Sequence, residues 1–134
     1  MKPEKDLKLS WNTPEAIRTD LLDTFPYEGE SQHITYSTKE FSAVCPFSGL
    51  PDLAEIIVEY YPDNLCLELK SLKLYLVSFR NVGMYQETIT DRIFRDLWKT
   101  LTPRWLKIRT IYATRGGIDA ICVIEKGTQP SALR

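Results

Sequence analysis

The most regular pattern in the chain is an apolar step of four. Ile89, Ile93, Leu97 and Leu101 recur with Phe94 beside them, while Asp91, Arg92, Arg95 and Lys99 stay outside. That spacing predicts an amphipathic helix, ended by Thr102 and Pro103. Just upstream, Leu65, Leu67 and Leu69 alternate, and then Leu69, Leu72, Leu76 and Phe79 recur at helical spacing. This predicts a short strand running into a second helix, with residues 81–83 as its stop. Strand-like segments flank the helices. "QHITYSTKEFSAVCP" is rich in Thr, Ser and aromatics, and "LAEIIVEYYP" sets Ala54, Ile56, Val58 and Tyr60 opposite Glu55 and Glu59. After the helices come "WLKIRTIYA" and "IDAICVIEK", joined by residues 114–117. The order is therefore β-β-α-α-β-β. An antiparallel four-stranded sheet of this kind buries one face under its two helices, an α+β layer. Its two edges stay open, and pairing them with other copies into a ring-forming oligomer is the expected way to manage them.

At 134 residues the chain is expected to hold one core. Residues 1–30 carry Pro3, Pro14 and Pro26 and a possible short helix over "PEAIRTDLLDTF"; they read as an arm packed on a later core. Residues 31–125 form the single catalytic domain of this reading, and 126–134 a loose C-terminal tail. The formal net charge of −1 gives no whole-surface attraction for nucleic acid or an acidic membrane. No apolar run approaches a membrane span, and the first residues lack the apolar core of a secretory signal. Cys45, Cys66 and Cys122 lie far apart, with one histidine, His33, and no CxxC. Neither a disulfide framework nor a metal site is expected, and a cytoplasmic location is. Cys66 and Cys122 are assigned to the core.

Several residues could carry chemistry, each beside a plainer explanation. Cys45 precedes "PFSGLPD", a turn segment that ends in Asp52. Cysteine is usually a buried small hydrophobe, but a turn faces solvent or a cleft. There a thiolate could act as a nucleophile, with the carboxyl of Asp52 as its base and then acid. Glu68 lies inside an apolar alternation at a strand–helix junction. Glu87, in the opening turn of the long helix, is either an acid favoured by the helix dipole or an acceptor for an amidine-like edge. Lys70 and Lys73, with Ser71 between them, share one helix face, and Arg115 precedes Gly116 and Gly117. Such cations either coat a solvated surface or hold a phosphate. No GxGxxG occurs, which excludes a Rossmann-type dinucleotide site.

Together, "CPFSGLPD", the run "ELKSLKLY" from Glu68 to Tyr75, "SFRN", Glu87 and "TRGG" resemble, in order and spacing, the QueF family of nitrile reductases in its short, single-module form. The resemblance covers residues 31 to 125. It implies the tunnelling fold (T-fold), with stacked rings, a decamer, and active sites between subunits. It implies the NADPH-dependent reduction of 7-cyano-7-deazaguanine to its aminomethyl product, a step of queuosine (tRNA modification) biosynthesis. Two NADPH would be used per turnover and no catalytic metal. Cys45 would form a thioimide and Asp52 would donate protons. Gln86 and Glu87 would grip the deazaguanine edge, with Leu67, Glu68 and Leu69 at the base pocket. Lys70, Ser71, Lys73 and Arg115 would contact the cofactor. The substrate is a small molecule; no direct nucleic acid or membrane contact is implied.

One position departs from the pattern. Members of the family commonly carry His-Glu where this chain has Gln86-Glu87, and glutamine donates and accepts hydrogen bonds but does not titrate. Any proton traffic through that histidine would fall to Asp52 here. Three alternatives share the fold: an enzyme making an amidine from the same nitrile on a tRNA-borne base, a non-catalytic purine-binding module, and a ring-opening hydrolase. The first is expected to lack the lysine-rich run, and the last would want zinc ligands.

Overall fold

The computed structural model of the protein describes residues 9–130. Its elements are β1 (Thr24–Pro26), β2 (Ile34–Val44), β3 (Pro51–Tyr61), β4 (Leu65–Leu67), α1 (Leu69–Val77), α2 (Gln86–Leu101), β5 (Trp105–Arg115) and β6 (Ile118–Gly127). The strand–strand–helix–helix–strand–strand order of the sequence is present, as one antiparallel sheet ordered β2-β3-β5-β6. The register sets Ala54 opposite Tyr112, Ile56 opposite Thr110, Val58 opposite Ile108 and Tyr60 opposite Leu106. Those pairs put the buried side chains of the two central strands on one face, Trp105 at the start of β5 excepted. The stripe Ile89, Ile93, Leu97 and Leu101 of α2 closes over it, with Leu72, Tyr75 and Leu76 of α1. Alternation at period 2 meets a stripe near period 3.6, and each supplies what the other must cover.

Three local departures have physical causes. The helix expected over residues 14–25 is instead two 3-10 turns, Pro14–Ala16 and Thr19–Leu21, separated by an extended Ile17. A segment this short is marginal as a free helix, and the break lets Ile17 insert into the core. Helix α1 ends at Val77, short of residues 81–83. The Ser78 hydroxyl donates to the Tyr75 carbonyl at 2.5 Å and accepts from the Arg18 amide at 3.0 Å, which closes the helix with an N-terminal residue. The short strand β4 does not extend the main sheet but pairs with β1.

The N-terminal segment is also fastened through Asp96 on α2. One oxygen of that carboxylate accepts from Tyr75 Oη at 2.6 Å, Arg92 Nε at 2.8 Å and Thr19 Oγ1 at 3.2 Å. Helix α2 ends as its sequence predicts, with Thr102 left-handed at φ 41° before Pro103. Strand β6 continues to Gly127. Residues 1–8 of the expected arm and 131–134 of the expected tail lie outside the described residues.

Candidate active site

The loop after β2 is shaped by its own backbone. The Cys45 amide donates to the Leu50 carbonyl at 2.9 Å, and the Gly49 amide donates back to the Cys45 carbonyl at 2.8 Å. Gly49 sits at φ +75°, where a residue with a Cβ is strained. The chain leaves this loop into β3 with Asp52 opposite Ala43. Cys45 and Asp52, set seven residues apart by the sequence, thus return to one end of the same hairpin.

A second loop lies alongside. The Val44 amide donates to the Val82 carbonyl at 3.0 Å, and the Met84 amide donates to the Val44 carbonyl at 3.2 Å. On its far side the Asn12 amide donates to the Asn81 carbonyl at 2.7 Å and the Gly83 amide to the Asn12 carbonyl at 3.0 Å. Residues 81–84 are therefore laced between the N-terminal segment and the residue before Cys45. The Trp11 indole lies against Gly83 and reaches Gly49: a Cβ built on Gly83 would fall 2.2 Å from the indole Cδ1, and one on Gly49 2.9 Å from its Cζ3. This clasp delivers the chain to the first turn of α2. There the Thr90 hydroxyl donates to the Gln86 carbonyl at 2.9 Å and meets the buried Thr110 hydroxyl at 2.6 Å, pinning the start of the helix to the sheet.

The result is an open cavity of about 320 Å³ lined by Cys45, Pro46, Asp52, Tyr85, Gln86, Glu87 and Arg115. Asp52 is 6% exposed, and its Oδ1 accepts from Arg115 Nη1. The same nitrogen also lies 3.4 Å from the Pro51 carbonyl. The Cys45 thiol is held below its ordinary pKa, chiefly by a hydrogen bond from the Ser48 hydroxyl. The backbone N–H groups of Ser48 and Phe47 and the positive charge of Arg115 add to this, against a smaller opposing effect of burial. Since the anion is the reactive form, its population rises at lower pH than for an ordinary cysteine. Ser48→Ala is therefore expected to move the midpoint of the pH–rate profile for iodoacetamide alkylation of Cys45 upward. Peptide mapping would separate Cys45 from Cys66 and Cys122; an unmoved midpoint would show that the hydroxyl has no part in it.

The other expected site residues lie elsewhere in the chain. The Leu67 side chain is wholly buried in the core and does not line the Cys45 cavity of its own subunit, and its amide donates to Tyr60 Oη at 3.0 Å. Glu68 is the N-cap of α1: its carboxylate accepts from the Ser71 amide at 2.8 Å and the Lys70 amide at 3.1 Å. Ser71 is buried, accepts from the Asp23 amide at 2.9 Å and donates to the Glu68 carbonyl at 2.7 Å. These groups serve the helix start and do not face the Cys45 cavity. Leu69 and Lys73 line a separate groove of about 270 Å³ between β2 and α1, with Lys70 exposed nearby on the same helix. Arg115, expected as a phosphate contact, donates from Nη1 to Asp52 Oδ1 while its side chain stays 41% exposed.

Ser48, Tyr85 and the Trp11 clasp were not read from the sequence. Ser48 was visible only as part of a turn motif; nothing in the sequence pattern marks Trp11. His33 rests on Glu59, with 3.0 Å between Nε2 and Oε1, and no metal-ligating cluster occurs among the described residues.

The site can now be set beside known proteins. A family model described as QueF-like protein matches residues 51–131, more than half of the chain. The NADPH-dependent 7-cyano-7-deazaguanine reductase of Thermotoga petrophila is 54% identical over 105 residues, which are 78% of this chain and 77% of that protein. The protein of the same name from Anaeromyxobacter sp. (strain K) is 44% identical over 84% of this chain and 93% of its own. That of Anaeromyxobacter sp. (strain Fw109-5) is 39% identical over 98% of both. The crystal structure of the archaeosine synthase QueF-Like in the apo form superposes with a TM-score of 0.66, over 78% of this chain and all of that one; at 21% identity it speaks to the fold alone. The tunnelling fold that the family resemblance implies is the fold of that neighbour, and the sequence match runs through the strands and helices that bear Asp52, Glu87 and Arg115. By the family model and by these relatives, this chain belongs to the QueF family.

Proposed function

We propose that this protein reduces the nitrile of 7-cyano-7-deazaguanine to the primary amine at the expense of NADPH, a step of queuosine biosynthesis in the cytoplasm. The observation that carries the reading is one cavity holding a thiol of lowered pKa, a nearly buried carboxyl and the Gln86-Glu87 pair. A nitrile carbon is an unhindered electrophile. The Cys45 sulfur adds to it, the C≡N bond becomes C=N, and the nitrogen takes a proton from Asp52. The thioimide so formed tethers the substrate through reduction and keeps the imine from water. Glu87 accepts from the N1–H and the amino group of the deazaguanine edge, and Gln86 supplies a donor and an acceptor beside it.

NADPH supplies two hydrides per turnover, and two protons complete the amine. The groove between β2 and α1 suits such a cofactor. Leu72 and Leu76 give it an apolar floor, and Lys73 and Arg80 offer cations for phosphates, with Lys70 close by; Glu40 is an opposing charge in its wall. No catalytic metal enters this reading.

Ring closure is part of the proposal. Strands β2 and β6 are the sheet's two edges, and β2 lines that groove. Because residues 67–73 do not line the Cys45 cavity of their own subunit, a neighbouring copy is the natural source of the remaining walls. Stacked rings, ten copies in all, would give every active site two subunits. The test is to mix protein, 7-cyano-7-deazaguanine and NADPH and follow nicotinamide absorbance and product mass together. Two NADPH oxidised per amine formed is the expected result; nitrile consumed without any NADPH oxidation would overturn the reductase reading.

A further inference from the structure

The turn that carries Cys45 is tied to the molecule at its two ends. Val44 bonds to Val82 and Met84, and Asp52 lies inside β3. Among the described residues, the hydrogen bonds of the intervening tip, 46–50, stay within the turn: the Cys45 amide to Leu50, the Gly49 amide to Cys45, and the Leu50 amide to the Ser48 hydroxyl at 3.2 Å. Its large side chains do not anchor it either, Phe47 being 88% and Leu50 46% exposed. What meets the tip from outside is the N-terminal segment. A Cβ on Gly49 would fall 2.8 Å from the Leu9 Cβ and 2.9 Å from the Trp11 ring.

Trp11 is itself held from behind. Asn12 exchanges two backbone hydrogen bonds with residues 81 and 83, Ile17 is buried in the core, and the Arg18 amide reaches the Ser78 hydroxyl. The indole therefore stands on a fixed base, packs on Gly83 and ends on Gly49. By contrast, Gln86 and Glu87 are placed by the start of α2, where the Thr90 hydroxyl holds the Gln86 carbonyl. One wall of the cavity is set by hydrogen bonds, and the other rests on a ring.

We propose that Trp11 is a positioning residue for the nucleophile: its indole props the 46–50 tip against the 81–84 loop, and so fixes the reach of the Cys45 sulfur to a nitrile held by Gln86 and Glu87. The inference rests on the proposed nitrile chemistry and assigns the residue that sets its geometry. Trp11 does not line the cavity and touches no reacting atom. It acts through Gly49, whose neighbour Ser48 bonds the thiol. A loose tip leaves the base-binding wall intact while blurring the approach of the sulfur, and misplacement by about 1 Å can cost roughly 100-fold in rate.

The test varies the ring and the glycine beneath it. The protein, Trp11→Phe, Trp11→Ala, Gly83→Ala and the double variant Trp11→Ala/Gly83→Ala are incubated with increasing 7-cyano-7-deazaguanine and no cofactor, well below their thermal midpoints. The covalent adduct is timed by intact mass. Trp11→Ala is expected to lower the maximal rate on the order of 10-fold, with the half-saturating concentration within about twofold. Trp11→Phe keeps a ring and recovers most of the rate. Gly83→Ala forces the indole aside and repeats the Trp11→Ala loss. The double variant loses no more, since the three atoms nearest that Cβ all belong to the indole. A ring that only stabilised the fold would lower the thermal midpoint and leave these rates alone; that result, or a loss confined to the half-saturating concentration, would overturn the inference.

Alkylation of Cys45 by iodoacetamide gives a second readout that needs no nitrile. The freed tip carries Ser48 away from the thiol, so the midpoint of the pH–rate profile moves upward in Trp11→Ala; an unmoved midpoint would overturn the inference as well. Asp52, Arg115, Tyr85 and Glu87, the other ionisable groups lining the cavity, lie outside the tip and are unchanged in the variant. An unaltered protein that forms no adduct while its Cys45 alkylates normally would overturn the nitrile reading itself, a different result.

Discussion

Cys45→Ala is expected to form no covalent adduct with 7-cyano-7-deazaguanine and to lose turnover by on the order of 10⁴-fold or more. The size of the effect follows from what the residue supplies. Without the sulfur there is no bond to the nitrile carbon, so hydride would have to reach a free nitrile that nothing has activated. The loss is chemical and not structural, because the loop is closed through backbone groups. The Cys45 amide and carbonyl make its two cross-loop bonds, and alanine keeps both. The Gln86 carbonyl, at the start of the helix that carries Glu87, also stays held by Thr90, itself bonded to Thr110, so the variant is expected to bind the deazaguanine ring nearly as well. Calorimetric binding beside intact mass makes the check. A variant that turns over at a tenth of the normal rate would show that the thioimide is not on the path.

Asp52→Asn is the second large effect, with adduct formation slowed by about 10²- to 10³-fold. Asparagine has nearly the same volume, and its carbonyl oxygen can still accept from Arg115, so the nearly buried site stays filled. What it cannot do is take a proton from Cys45 or give one to nitrogen. The slow step should then respond to an external carrier: small buffer acids such as acetic acid are expected to restore part of the adduct rate in proportion to their concentration. An Asp52→Asn protein that forms adduct at the unaltered rate, with no buffer dependence, would remove Asp52 from the proton path.

The sequence carried the frame well because the frame is periodic. The step of four from Ile89 to Leu101 and the alternation from Ala54 to Tyr60 are statements about which atoms must leave water, and the sheet and helices obey them. Cys45, Asp52, Gln86 and Glu87 were legible as candidates through their motifs, and they line one cavity. What escaped was anything decided by side-chain reach. Glu68 reads as a ligand contact in the motif, yet in the folded chain its carboxylate answers the unpaired amides at the start of α1. Arg115 reads as a free cation in a glycine loop, and only the slip between β5 and β6 turns it onto Asp52. The pairing of β1 with β4 joins two three-residue strands, too short for any pattern to announce.

The Trp11 indole has a consequence for how sequences like this one can drift. Gly49 is held as glycine twice over, by its backbone angle and by the ring above it. Gly83 has an ordinary backbone angle, so only the ring excludes a side chain there. Positions 11 and 83 are therefore a single choice written in two places. A lineage that shrinks the tryptophan frees the glycine to grow a side chain, and one that fills position 83 must first give up the indole. Descent would move them as a pair, and a comparison of relatives that scored each column alone would miss the rule that joins them.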